Sequence, residues 1–323
     1  MKAIVFERYG SAEVLELREI DKPTPKDNEI LIQVRAASAN ALDWHRMRGE
    51  PYLVRMDGSW RRPKDSRLGA DLAGVVEAVG SEITLFKVGD EVFGSRTGAF
   101  GEYVVTQGSA MAPKPAHMTF EQAAAVPVAA LTALQGLRDK GRVQSGQSVL
   151  INGAGGGVGT FAVQIARAFG AEVTAVTSSA KLELVRSLGA THIIDYTRED
   201  FTRNGQRYDL VLDVGGGHSL SDIRRALTPQ GTLVVAGGSG DNPLLGPLTG
   251  ILQALIISRF VSQNLLAFIA DANRDDLLAL KELIESGKVT PVIDRTYPLE
   301  QVPEAITYLE QGHARGKVVV TVA

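Results

Sequence analysis

The chain has 323 residues, of which 44% are apolar and 22% charged, and its net charge is −3. These are ordinary values for a globular chain long enough for two domains. No basic tract of the kind that binds nucleic acid occurs, and a chain with no cysteine forms no disulfide and offers no thiolate to a metal.

Met1-Lys2-Ala3-Ile4-Val5-Phe6 starts as a strand rather than a signal peptide, which makes a cytoplasmic location the default. Alternating strands are predicted over Ile30–Ala36, Ala73–Val79, Glu91–Phe93 and Glu102–Val105, separated by turns such as Val88-Gly89-Asp90. That pattern predicts an irregular antiparallel, barrel-like domain. From about Ala123 to Val289 the pattern changes. Short apolar runs at Ser148–Asn152, Glu172–Thr177, His192–Asp195, Asp209–Asp213 and Thr232–Ala236 alternate with helical segments such as Lys181–Leu188 and Leu220–Leu227. Alternation of this kind predicts a parallel sheet with helices on both faces. The apolar stretch Leu244–Ile257 holds Gly246, Pro247 and Gly250 and is too short to span a bilayer. It reads as a buried helix, a cleft wall or part of a subunit contact. The tail, Val292 to Ala323, returns to strand, helix and strand and is expected to complete the first domain. The predicted domains are thus 1–122 with 292–323, and 123–291, with the ligand cleft expected between them.

The run Ser148-Val149-Leu150-Ile151-Asn152 ends in Gly153-Ala154-Gly155-Gly156-Gly157-Val158-Gly159. Phe161, Ala162, Ile165, Ala166 and Phe169 then fall on one face of a helix. Strand, glycine turn and helix N-terminus together suit a diphosphate, because free N–H groups and the helix dipole favour an anion and missing Cβ atoms let it approach. Gly156 and Gly159 take the second and third places of the usual G-x-G-x-x-G fingerprint, and Ala154 takes the first.

The strand that follows, Ala171–Thr177, ends in Ser178-Ser179-Ala180-Lys181, where an NAD-binding version carries Asp or Glu for the ribose 2′-hydroxyl. With no carboxylate there, Ser178 and Lys181 can receive a 2′-phosphate. The predicted cofactor is therefore NADPH.

Several stretches resemble the zinc-independent quinone oxidoreductase branch of the medium-chain dehydrogenases and reductases. They are Ala39–Asp43 with Arg48-Gly49, Gly69–Val76 with Val79-Gly80, and Val88–Gly94. Phe100–Tyr103, Leu131–Ala133, Gly153–Gly159 and Gly316–Val319 complete the set. Phe268–Asn273 and Gly312–Lys317 also resemble the reticulon-4-interacting protein-like reductases of that branch. The resemblance implies a doubly wound parallel Rossmann sheet plus an irregular β-rich GroES-like barrel domain. It further implies NADPH-dependent reduction of quinones or α,β-unsaturated carbonyls, with enoyl-thioester reduction or a non-catalytic NADPH-binding role as alternatives.

Zinc members carry a cysteine near Asn40–Asp43 and a Gly-His-Glu where this chain has Gly69-Ala70-Asp71. Its five histidines, His45, His117, His192, His218 and His313, are dispersed. A catalytic zinc needs three protein ligands and an open position, so no metal is expected. The family places a polar residue near the nicotinamide at Asn40 and a threonine at Thr132, the latter expected to open a helix. Asp43 caps the helix over Leu42–Arg48 or works beside Asn40. Tyr52 and His45 are the candidates to supply a proton to the acceptor oxygen. Lys181 and Tyr196 match the lysine and tyrosine used around the 2′-phosphate, and Gly153, Gly156, Gly157, Val158, Gly159, Ser178 and Gly237 are the other cofactor-binding candidates. Relatives dimerise through edge strands near Asn264–Ile269, so Leu265, Leu266, Phe268 and Ile269 suit a homodimer contact. The partners expected are a small-molecule quinone or enone and a second copy of the chain, with no nucleic acid and no membrane span.

Overall fold

A computed structural model describes residues 1–57, 60–236 and 261–322. The chain divides into two units, Met1–Leu131 with Ala272–Ser286 and Pro291–Ala323, and Thr132–Asp271 with Gly287–Thr290.

The first unit is organised on Ile30–Ala39, a strand whose β-branched and small residues suit a position between neighbours. One of its edges pairs antiparallel with Asp71–Val79. The other is shared, Ile30–Gln33 facing Tyr103–Thr106 and Ala36–Ala39 facing Val318–Thr321. The register shifts between Leu31 and Ile32 and again between Val34 and Ala36. Such bulges bend a strand, which lets one edge serve two partners. Glu91–Ser95 and Met111–Pro113 extend the sheet on one side, and Ile293–Pro298 runs parallel to Lys317–Thr321 on the other. Ile30, Ile32 and Val34 point inward at a period of two and meet Ile4, Phe6, Met47, Leu72, Phe100, Val318 and Val320 in one core. This is the irregular β-rich domain, and Val318–Thr321 pairs with its central strand.

The second unit holds a wholly parallel sheet in the order His192–Asp195, Glu172–Thr177, Ser148–Asn152, Tyr208–Asp213, Leu227–Ala236, Asn264–Phe268. Chain order reverses between Ser148–Asn152 and Tyr208–Asp213, the switch point at which such sheets bind ligands beyond their strand C-termini. Val149, Leu150 and Ile151 are fully buried, as a strand covered on both faces requires. Each predicted run is a strand, although the fifth begins at Leu227 rather than Thr232. The helix after the glycines spans Gly157–Ala168 and buries Phe161, Ala162, Ile165 and Ala166.

A helix the sequence reading does not include spans Arg274–Glu285 and belongs to the first unit. Leu277, Leu280 and Ile284 recur at helical spacing, and the Asn273 side chain caps it by accepting from the Asp276 N–H at 2.9 Å. Thr132 does not open its helix. Pro127 does, since its fixed φ and missing N–H suit a first turn, and the helix runs on to Gln135 with Thr132 in its interior. Gly237 and the apolar stretch 244–257 lie outside the described residues.

Candidate active site

In the second unit the glycine turn is built at the switch point. The left-handed residue is Gly153, with φ of 85°, while Ala154 keeps a negative φ. The tight turn therefore falls one place before the fingerprint's first position, which is why alanine is tolerated there. A Cβ on Gly153 would lie 2.9 Å from the backbone of Gly215, in the turn after the neighbouring strand. The two turns are locked together. Asn152 Nδ2 donates to Asp213 Oδ1 at 2.8 Å and to the Gly216 carbonyl at 2.9 Å, and the Val214 N–H donates to the Asn152 carbonyl.

Gly156 is the residue before the helix, and Gly157 is the first helical one. The first N–H groups of the helix, from Gly157 and Val158, have no intrahelical acceptor and so offer an anion site. Gly159 serves close packing: a Cβ there would stand 2.1 Å from the Gly153 carbonyl oxygen and 2.6 Å from Ala154 Cα. The turn is a cradle that side chains would fill.

At the end of Glu172–Thr177, Ser178 is half-buried with an extended backbone, and Lys181 lies close enough that a Cβ on Gly155 would stand 2.7 Å from its Cδ. Strand register pairs Thr177 with Asp195, and the Tyr196 N–H donates to the Thr177 carbonyl at 3.1 Å. Tyr196 therefore stands beside Ser178 with its ring exposed. The sequence reading did not anticipate Asp195, a carboxylate beside these residues. Ser179 Oγ donates to Asp195 Oδ2, while the Thr197 N–H and hydroxyl both donate to Oδ1. Those hydrogen bonds hold its carboxyl below the usual range, led by that from Ser179. They also engage both its oxygens within the protein.

In the first unit, Asn40 follows the central strand and precedes the helix Ala41–Arg48. Its side chain is fully engaged. Nδ2 donates to Asp71 Oδ2 at 2.9 Å and to the Ser38 carbonyl at 3.3 Å, and Oδ1 accepts from Lys317 Nζ. Its backbone N–H donates to Asp43 Oδ2 at 2.8 Å. Asp43, Asp71 and Lys317 are all buried. Burial, with the Asp71 charge adding to it, pushes the Asp43 carboxyl up to about 7, against the opposing pull of the Asn40 N–H, Lys317 and Arg46. Burial likewise lowers Lys317, although Asp71 and Asp43 oppose it.

His45 stacks on Trp44, and its Nδ1 lies 2.7 Å from the Glu50 carbonyl. A carbonyl only accepts, so Nδ1 carries the hydrogen. Burial lowers the ring's pKa. The neutral ring then presents Nε2 as an acceptor rather than a donor. Tyr52 lies over the Arg55 guanidinium, 4.5 Å from ring centre to Cζ, and meets exposed Trp60 in a T-shaped contact. Among the described residues no three His, Asp or Glu side chains form a group able to hold a metal ion.

Residues 26–116 match the alcohol dehydrogenase GroES-like domain, and residues 188–320 match a family described as zinc-binding dehydrogenase. The NAD(P)H oxidoreductase RTN4IP1 of Mus musculus, a mitochondrial protein, is 35% identical over 100% of this chain and 89% of its own. The chloroplastic NADPH-dependent alkenal/one oxidoreductase of Arabidopsis thaliana is 37% identical over 99% of this chain and 79% of its own. The structure of Escherichia coli quinone oxidoreductase complexed with NADPH superposes with a TM-score of 0.84 at 26% identity, covering 99% of this chain and 100% of that one.

These relatives correct the cytoplasmic expectation, since proteins of the first name from four vertebrates are all mitochondrial. A leading strand describes how a folded domain starts and does not carry its address. Among the described residues no helix is long and apolar enough to cross a membrane.

Proposed function

The chain belongs to the zinc-independent quinone oxidoreductase branch of the medium-chain dehydrogenases and reductases, and from that premise we propose that it reduces quinones or α,β-unsaturated carbonyls at the expense of NADPH. The observation that carries the cofactor half is the end of Glu172–Thr177, where Ser178 and Lys181 stand in place of a ribose-binding carboxylate and the nearby Asp195 is bonded inward. The second unit takes the cofactor. Gly153, Gly156, Gly157, Val158 and Gly159 hold its diphosphate, and Ser178, Lys181 and Tyr196 hold the 2′-phosphate. NADPH supplies a hydride.

The acceptor side falls to the first unit. Quinones and enones accept hydride without a Lewis acid, because conjugation spreads the developing charge. The family relation supports this acceptor class, as do names such as quinone oxidoreductase and alkenal/one oxidoreductase among relatives. Asn40 fixes the turn that precedes its helix, and Thr132 lines the nicotinamide end. For the proton, Tyr52 is a better donor than His45, whose Nε2 carries a lone pair. We also propose a homodimer formed through the edge strand Asn264–Phe268.

The test is NADPH and NADH consumption over a panel of simple quinones, alkenals and enoyl thioesters. Turnover of quinones or alkenals with NADPH, and weaker use of NADH, is the expected result. Turnover of enoyl thioesters alone would replace the acceptor class, and NADPH binding without any turnover would leave a non-catalytic protein.

A further inference from the structure

Ser38, Asn40, Asp43, Asp71 and Lys317 meet in the first unit with at most 7% exposure each. They come from the end of one strand, the first turn of a helix, and the starts of two neighbouring strands. A buried ammonium–carboxylate pair is poor value for stability, because desolvation offsets its attraction and apolar side chains of the same volume often do better. The hydrogen bonds show what the pair does instead.

Asp71 holds two helix starts. Its Oδ1 accepts from the Val128 N–H at 2.9 Å, in the first turn of Pro127–Gln135. Its Oδ2 accepts from Asn40 Nδ2, at the residue that precedes Ala41–Arg48. The Lys317 ammonium then bridges Asn40 Oδ1, the Ala39 carbonyl and Asp71 Oδ2, the last two at 3.4 Å. One cation thus holds an amide and a carboxylate from which two helices start. The helices carry His45 and Thr132, and Tyr52 follows soon after the first of them.

We propose that Lys317 is a positioning residue for the reduction, its clamp on Asn40 and Asp71 setting where the starts of Ala41–Arg48 and Pro127–Gln135 stand. This rests on the reading of the protein as a reductase. Lys317 touches Ala39, Asn40 and Asp71 and no residue of the glycine turn, so it governs turnover rather than the hold on the diphosphate. Asn40, with its amide saturated, transmits the position and gives no proton.

Lys317→Met alone strands a buried carboxylate, so the double variant Lys317→Met/Asp71→Asn is measured beside it. The double variant buries no charge in the pair and is expected to lose less stability than Lys317→Met alone. Its kcat with the best wild-type acceptor should fall roughly tenfold to a hundredfold, the usual effect of a small displacement at a reacting centre, with NADPH affinity by direct titration unchanged. Hydrogen exchange, read without turnover, should quicken at the Asn40, Asp43 and Val128 amides and stay unchanged in Ser148–Asn152. A double variant with wild-type exchange at those amides, or with faster exchange and wild-type kcat, would overturn the proposal. A wild-type chain that turns over no acceptor would overturn the reductase reading and the rate claim together. That failure is seen before any variant is made.

Discussion

Asp43 is a carboxyl buried almost completely from water. In the unfolded chain its carboxyl releases its proton near 3.8, whereas burial keeps the proton on up to about 7 in the folded one. Between those values the folded state binds more protons, so stability falls as pH rises through the interval and the full cost is present above it. At about 1.4 kcal/mol per unit, the cost approaches about 4 kcal/mol. Asp43→Asn keeps an acceptor for the Asn40 N–H and removes the titration. The variant should gain on wild type in urea melts at pH 8 and gain little at pH 4. An equal difference at both would mean that Asp43 is ionised throughout. Lys181 makes a different claim, about selectivity. Lys181→Ala is expected to raise the KM for NADPH roughly tenfold or more, as the loss of a charge-assisted hydrogen bond would, and to spare that for NADH. Steady-state kinetics with both cofactors decides it, and equal losses would make Lys181 structural.

At the scale of elements, legibility followed how local the cause was. The parallel strands were readable because a strand buried on both faces is a continuous apolar run, as Val149-Leu150-Ile151 is. The glycine turn was readable because sterics leave no alternative at Gly159. Gly159→Ala would drive a methyl into the backbone of Gly153 and Ala154. The strain should cost about 1–3 kcal/mol and weaken NADPH binding in a titration; wild-type affinity would show that the helix can move away. What could not be read were causes lying across the sequence. Nothing near Asn40 announces that Lys317 will fill its oxygen, and nothing at Thr177 announces Asp195. Those partnerships exist only once strand register is set. The edge strand is intermediate. Asn264–Phe268 has a strand neighbour on one side alone among the described residues, and Ile269 just beyond it is 94% exposed. An apolar sheet edge invites pairing with another strand. If the proposed homodimer forms through this edge, Leu266→Lys with Ile269→Lys should give a monomer by light scattering, and a dimer that persists would place the contact elsewhere.

For the whole molecule, the strongest lever is the linkage between cofactor and stability. A ligand that binds only the folded chain adds RT ln(1 + [L]/Kd), or about 2.7 kcal/mol at a hundred times its Kd. A roughly tenfold preference for NADPH over NADH corresponds to about 1.4 kcal/mol. At equal, saturating concentrations the two cofactors should therefore raise unfolding stability by different amounts, NADPH more, and the gap should approach that figure. In Lys181→Ala the gap should close from the NADPH side while the NADH increment stays put. The comparison needs no acceptor, so it judges the cofactor assignment apart from the chemistry. If NADH stabilises the chain as much as NADPH does, Asp195 is the first residue to re-examine. Released from Ser179 and Thr197, it would offer a ribose 2′-hydroxyl the carboxylate that the end of Glu172–Thr177 lacks.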